Sequence, residues 1–224
     1  MTHPTVPGIP HIHIVRPAAN LLPTGGRLGV LGGAYNPITL AHLAIAHTIV
    51  TTFAIDEVLF LLPQVPPHKT IFGASLEQRL DMMQLAVQDC SHAAVGLSSH
   101  GLFIDMYQGI QEAYPQQPEV FFLTGRDAAE RILTWDYDDA PAALQRMFAA
   151  FQLIVCDRDG PFHFPDDPLL ASYRHRIHTC DLPATVQHIS ATAVRQRCQE
   201  GRALDDLVPA AVADYIAHYR LYKT

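Results

Sequence analysis

The sequence predicts an α/β protein, a Rossmann-like doubly wound parallel sheet with a small helical part at its C-terminal end. Three observations carry that prediction. Between Arg27 and Asp181, six short apolar runs alternate with longer segments of helical periodicity, the pattern of strands joined by crossover helices. Two of the runs, EVLFLL from Glu57 and EVFFL from Glu119, are apolar almost without a break, as strands covered on both faces are. The first run ends in Gly32-Gly33, the kind of turn that opens the ligand crevice of such a sheet.

Taken in chain order, residues 1–26 are rich in Pro, Gly and His and end in PTGG, which predicts an irregular N-terminal extension. Within it, His11 and His13 share one face of an extended segment. That spacing can hold a metal, but no Cys or acidic partner is near them in sequence, so an edge-strand fragment or a tail is the simpler reading. Strands are predicted at RLGVLG, EVLFLLP, AAVGLSS, EVFFLTG, QLIVCDR and HRIHTCD. Helices are predicted over 41–54, 75–90, 104–114, 127–134 and 139–150. TVQHISATAVRQRCQEG then reads as a short strand, a turn, and a helix stopped by Gly201. A last helix follows Pro209 with Val212, Tyr215, Ile216 and Tyr219 on one face. No internal repeat or linker divides the chain, so residues 27–224 are expected to form one domain.

Composition excludes several function classes. The 224 residues carry 15 Lys and Arg against 22 Asp and Glu, a formal charge of −7, with no basic run. A large nucleic-acid footprint needs clustered positive charge, so nucleic acid is not an expected partner. Small anions are still open to it, because helix N–H groups and a few cations suffice to bind them. The four cysteines, Cys90, Cys156, Cys180 and Cys198, have no paired or metal-finger spacing and read as reduced thiols of a cytoplasmic protein. The first residues show no basic stretch followed by an apolar core, and no apolar run is long enough to span a bilayer. A soluble protein without a membrane partner is expected, and a homo-oligomer is left open.

The chemistry is concentrated in GGAYNPITLAHLAIA, Gly32 to Ala46. The stretch matches neither GxGxxG nor GxxxxGK[ST]. Thr39 and His42 stand three apart where a helix begins, a spacing that puts both on one side of the first turn, facing the loop opened by Gly32 and Gly33. Helix N–H groups, a hydroxyl and an imidazole converging there, with the backbone of Ala34 and Tyr35, can hold a triphosphate and stabilise charge developing during transfer. Singly, each residue also has a structural reading: Thr39 as an N-cap, and His42 as a half-buried ring.

On these residues the chain resembles the nucleotidyltransferase superfamily, GGAYNPITLAH corresponding to its [HT]xGH signature. PPHK at Pro66 to Lys69, SLEQRLDMMQLA from Ser75, FFLTGRDAAERILTW from Phe121, ISATAVR from Ile189 and LVPAAVADYIAHYRLY from Leu207 are similar, in the same order, to the bacterial nicotinate-nucleotide adenylyltransferases. The resemblance spans about residues 27–222. It implies the nucleotidyltransferase fold and transfer of the adenylyl group of ATP to nicotinate mononucleotide, forming deamido-NAD and pyrophosphate. Two other readings stay open: another phosphorylated acceptor such as phosphopantetheine, or a nucleotide-binding sensor without catalysis.

Site residues follow from the resemblance. His42 is implied at the transferring phosphate, with Thr39 and Lys69 assisting. Ser190, Thr192 and Arg195 of ISATAVR stand at a second helix N-terminus, where anions are favoured and an Arg can fork onto phosphate. Gly125 and Asp127 of TGRD are implied at the nucleotide, Asp127 on its sugar, although Asp127 also reads as an N-cap. Trp135, His68 and Phe103 are implied at the acceptor. Mg2+ is expected to accompany ATP, held by phosphate oxygens and water, with no protein metal site. This chain has Thr39 where most of these enzymes have His, Ala41 in place of Gly, Leu102-Phe103 in place of Tyr-Thr, and Arg126 in place of a small residue. The Ala41 methyl is therefore expected at the phosphates, and the apolar pair alters the acceptor's surroundings.

Overall fold

Strand pairing gathers the apolar runs into one sheet. The computed structural model describes residues 8–64, 72–134, 137, 139–157 and 162–223. In chain order the elements are β1 (Ile12–Arg16), β2 (Arg27–Gly32), α1 (Leu40–Phe53), β3 (Glu57–Pro63), α2 (Leu76–Ala86), β4 (Ala93–Ser98), α3 (Phe103–Ala113), β5 (Glu119–Gly125), α4 (Arg126–Leu133), α5 (Ala140–Ala150), β6 (Gln152–Asp157), α6 (Pro168–Ala171), β7 (Ile177–Asp181), α7 (Ala184–Gln187), α8 (Ala191–Glu200) and α9 (Ala210–His218). A 3-10 turn, Arg174–Arg176, precedes β7.

The sheet order is β1-β4-β3-β2-β5-β6-β7. From β2 to β7 every pairing is parallel. The chain runs outward from β2 through β3 to β4, then crosses back to lay β5 on the other side of β2. This reversal is the switch point that leaves a crevice at the carboxyl ends of β2 and β5.

Alternation along the strands divides the core in two. Val58, Phe60 and Leu62 of β3 join the cluster beneath α1, α2, α8 and α9, whereas Leu59 and Leu61 join the cluster beneath α3, α4 and α5. All seven β3 residues are buried, the structural counterpart of its unbroken apolar run. Several helices begin on side-chain caps: Ser75 and Gln78 form a capping box at α2, and Asp139 caps α5. At the end of α8, Gly201 takes a left-handed conformation (φ 67°) that costs glycine little.

Three expectations are corrected. The stretch expected to be irregular contributes β1, antiparallel to β4 with Ile12 opposite Ser98, and Ile12 and Ile14 pack against the second cluster. The strand expected at TVQHI is instead the single turn of α7, whose Val186 packs on the first cluster. On α9, Val212 and Ile216 are buried, but Tyr219 is 52% exposed. Tyr215 donates its hydroxyl to Asp81 Oδ2 of α2 at 2.7 Å. Among the described residues, no helix is long and apolar enough to cross a membrane, and none of the four cysteines forms a disulfide.

Candidate active site

The crevice at the switch point is a cleft of about 1070 Å3, at the upper limit of ordinary small-molecule sites. The ends of β2 and β5 form its floor, and α3, α4 and α8 open onto it at Leu102-Phe103, Gly125-Arg126 and Ser190-Ala191. The positive ends of these helix dipoles therefore face a common space. Arg126, Arg131, Arg195 and His42 also line it, and Asp127 is the only carboxylate among its described lining residues. The cleft is thus electropositive although the chain as a whole is acidic.

Thr39 does not behave as its spacing suggests. It is the N-cap of α1, with extended backbone (φ −132°, ψ 166°), so its side chain does not follow the angular progression of the helix. It is 0% exposed and does not line the cleft. Instead its Oγ1 lies 2.8 Å from His42 Nδ1, and its backbone N–H donates to the same nitrogen at 3.1 Å. His42 lines the cleft, its ring packed against that of Tyr35 at 5.1 Å. Tyr35 is buried and donates its hydroxyl to the Leu31 carbonyl; its ring supports His42. A Cβ on Gly33 would meet that ring at 3.2 Å, so glycine there makes room for Tyr35. Ala41 is fully buried in the first core cluster and is not part of the cleft lining, which corrects the expectation of a methyl at the phosphates.

At α8, Ser190 accepts the Ala193 N–H at 3.1 Å as N-cap, and both Ser190 and Thr192 line the cleft. Arg195 donates through Nη2 to Thr192 Oγ1 at 3.2 Å and through Nη1 to the Asn36 carbonyl at 2.7 Å. Its guanidinium lies 5.5 Å over the Phe72 ring. Asp127 is not an N-cap: Gly125 holds that position, and Asp127 lies within the first turn of α4. Its carboxylate is exposed 3.6 Å from Arg126, which also approaches Glu130 at 3.9 Å. The cation at position 126 is therefore partly balanced by its own helix.

The other end of the cleft is apolar. Leu102, Phe103, Met106, Ile132, Tyr137 and Met147 line it. Phe103 stacks on Phe122 at 4.5 Å and 10° and meets Phe151 edge-on. Tyr137 gives its hydroxyl to the Ile132 carbonyl at 2.9 Å, and burial raises its pKa.

Residues 30–197 match the cytidylyltransferase-like family model. The chain belongs to that family. A Bordetella pertussis protein named probable nicotinate-nucleotide adenylyltransferase is 31% identical to it over 208 residues, covering 88% of this chain and 98% of that protein. One of the same name from Geobacter sulfurreducens is 32% identical over 219 residues, with the same coverage. This member of the family is a nucleotidyltransferase of the nicotinate-nucleotide adenylyltransferase group. The same fold occurs in Plasmodium falciparum nicotinic acid mononucleotide adenylyltransferase complexed with NaAD, with a TM-score of 0.66 and 19% identity over 88% of this chain and 97% of that one.

Of the nucleotidyltransferase residues named from sequence, Gly32, Gly33, Ala34, Tyr35, His42, Phe103, Gly125, Asp127, Ser190, Thr192 and Arg195 line one cleft, and Thr39 stands behind it. His68, Lys69 and Trp135 lie outside the described residues. Sequence reasoning missed four contributors. Asn36 is buried and links three segments: its Nδ2 donates to the Phe72 carbonyl, its own carbonyl receives Arg195, and its Oδ1 receives the Tyr222 hydroxyl at 2.8 Å. Arg79, buried on α2, donates to the Ala34 carbonyl at 2.8 Å and so ties down the glycine loop; burial lowers its pKa, partly offset by Tyr222. Phe72 and Arg131 line the cleft. Two signals in the sequence bear on them: Asn36 lies inside the glycine stretch, and Arg79 stands in the apolar face of α2.

Proposed function

We propose that the chain transfers the adenylyl group of ATP to nicotinate mononucleotide, forming deamido-NAD and releasing pyrophosphate. The observation that carries this reading is the mixed lining of one cleft: the N-termini of α4 and α8 with His42 and Arg195, and at the start of α3 an apolar wall able to take a pyridine ring. A phosphate oxygen of the acceptor attacks the α-phosphorus in line. The bond to the bridging oxygen of the β-phosphate breaks, and its electron pair leaves with pyrophosphate. Catalysis of this kind rests on positioning and charge stabilisation.

In this reading the α8 N-terminus and Arg195 hold the β- and γ-phosphates, and His42 gives a hydrogen bond to the transferring phosphoryl group. Gly125 and Asp127 meet the nucleoside, while Phe103 and Tyr137 bound the ring of the acceptor. Lys69, His68 and Trp135 keep the roles that the family resemblance gives them. Among the described residues no group of three or more His, Cys, Asp or Glu side chains converges, and the cleft offers the single carboxylate of Asp127. That donor set fits Mg2+ entering on the triphosphate, with phosphate oxygens and water as its main ligands. The reading is of an enzyme with small-molecule partners, and four cysteines outside any disulfide support a cytoplasmic setting.

The apolar start of α3 supports a second reading, an acceptor without a carboxylate. The test is pyrophosphate release with ATP and Mg2+, offering nicotinate mononucleotide, nicotinamide mononucleotide and phosphopantetheine separately. Release with the first and little with the others is expected. Release with phosphopantetheine alone would move the acceptor, and ATP binding without release from any of the three would make the chain a nucleotide sensor.

A further inference from the structure

Two donors converge on one nitrogen of His42. The backbone N–H of Thr39 is directed at Nδ1 from 3.1 Å, and Thr39 Oγ1 lies 2.8 Å from it. A backbone N–H can only donate, so Nδ1 is an acceptor and carries no proton. The neutral ring then holds its proton on Nε2. Thr39 lies wholly within the protein and the His42 ring lines the cleft, which turns Nδ1 inward and the Nε2 edge away from Thr39. The Tyr35 ring, tilted 58° to the imidazole at 5.1 Å, limits its rotation. A histidine at the third helical position thus takes the part that Glu or Gln plays in an ordinary capping box.

We propose that Thr39 is a positioning residue and not a phosphate ligand: it locks His42 as the Nε2–H tautomer, poised to donate to a phosphoryl oxygen. The catalytic part of this inference rests on the adenylyl-transfer reading; the tautomer does not. It follows that His42 supplies a directed hydrogen bond and no net charge. The positive potential around the phosphates then comes from Arg195 and the helix ends, and the hydroxyl at position 39 contributes without touching substrate.

Long-range 1H–15N correlation spectra of the ligand-free protein, with His42 assigned by comparison with His42→Gln, read the tautomer directly. The wild type is expected to show Nε2 protonated and Nδ1 as a hydrogen-bonded acceptor. In Thr39→Val, which keeps the shape and the backbone donor, the Nδ1 resonance should move toward that of an unbonded ring nitrogen. Thr39→Ser should restore it. In turnover, Thr39→Val is expected to lower kcat about tenfold, the size of one lost hydrogen bond, with KM for ATP changed less than twofold, and Thr39→Ser should recover most of the loss. A wild-type His42 protonated on Nδ1 overturns the proposal whatever the variants do. So does a Thr39→Val enzyme whose KM for ATP rises at constant kcat, because that is the signature of a lost ligand. If no acceptor supports turnover, the spectra still decide the tautomer, and the adenylyl-transfer reading fails separately.

Discussion

His42 and Arg195 carry different parts of the chemistry, and their variants should separate accordingly. His42→Ala removes a donor aimed at developing charge, so kcat should fall by about 100- to 1,000-fold in a steady-state pyrophosphate assay while the fold is retained. A kcat within a few-fold of wild type would take His42 out of the mechanism. Arg195 already donates to the Asn36 carbonyl and Thr192, so it is held in place before any ligand arrives. Arg195→Ala should raise KM for ATP by about 10- to 100-fold, as expected for charged hydrogen bonds worth about 1.5–3 kcal/mol. Its effect on kcat should be smaller. An unchanged ATP dependence would show that the helix end alone holds the triphosphate.

At the scale of elements, β3 and the end of α3 share a buried polar pair remote from the cleft. Tyr114, the C-terminal cap of α3, donates its hydroxyl to Glu57 Oε1 at 2.6 Å. Burial raises the Glu57 pKa, and the Tyr114 bond pulls it partly back. A carboxyl whose folded pKa is raised adds stability below its unfolded pKa, about 4.3, and loses that contribution as pH rises through the folded value. Urea unfolding of wild type and Glu57→Gln from pH 4 to 7 should therefore show the variant gaining relative stability with pH, since Gln still accepts from Tyr114 and has no charge to desolvate. A pH-independent difference would mean that Glu57 titrates normally. A second polar chain runs across the strands from β7 to β2: His178 Nε2 to Gln152 Oε1 at 2.7 Å, Gln152 Nε2 to Glu119 at 2.5 Å, and an ion pair of Glu119 with Arg27 at 3.3 Å. Burial lowers the His178 pKa, consistent with a neutral ring donating to Gln152.

For the whole molecule, the segments before β2 and after α9 differ in their relation to the site. β1 extends the sheet beyond β4, whereas the C-terminal Tyr222, 5% exposed, reaches Asn36 in the loop between β2 and α1. Burial pushes the Tyr222 hydroxyl pKa upward, so it remains a donor at any working pH. Tyr222→Phe leaves a buried acceptor unpaired and should cost about 1–3 kcal/mol in denaturant unfolding. It should also loosen the loop that receives Arg195, and KM for ATP should rise in step. Loss of stability with unaltered kinetics would separate the C-terminal anchor from the site.

The sequence by itself determined that six strands alternate with helices in a parallel sheet and that a cleft opens beside Gly32 and Gly33. Unbroken apolar runs, a glycine pair and helical periodicity are local signals, and burial on both faces reinforces every one of them. Six strands and the main helices lie within a few residues of their predicted limits for that reason. Tertiary structure alone decided what is non-local. HIHI becomes a strand only because β4, more than 80 residues away, offers an open edge, including the bond from the Ser99 N–H to the His11 carbonyl. Thr39 turns inward because an N-cap has extended backbone, so helical spacing does not apply to it. Asn36, Arg79 and Tyr222 became part of the site through hydrogen bonds between segments 36 to 186 residues apart. Such bonds leave no periodicity in a sequence, since their geometry exists only once the core has brought those segments together.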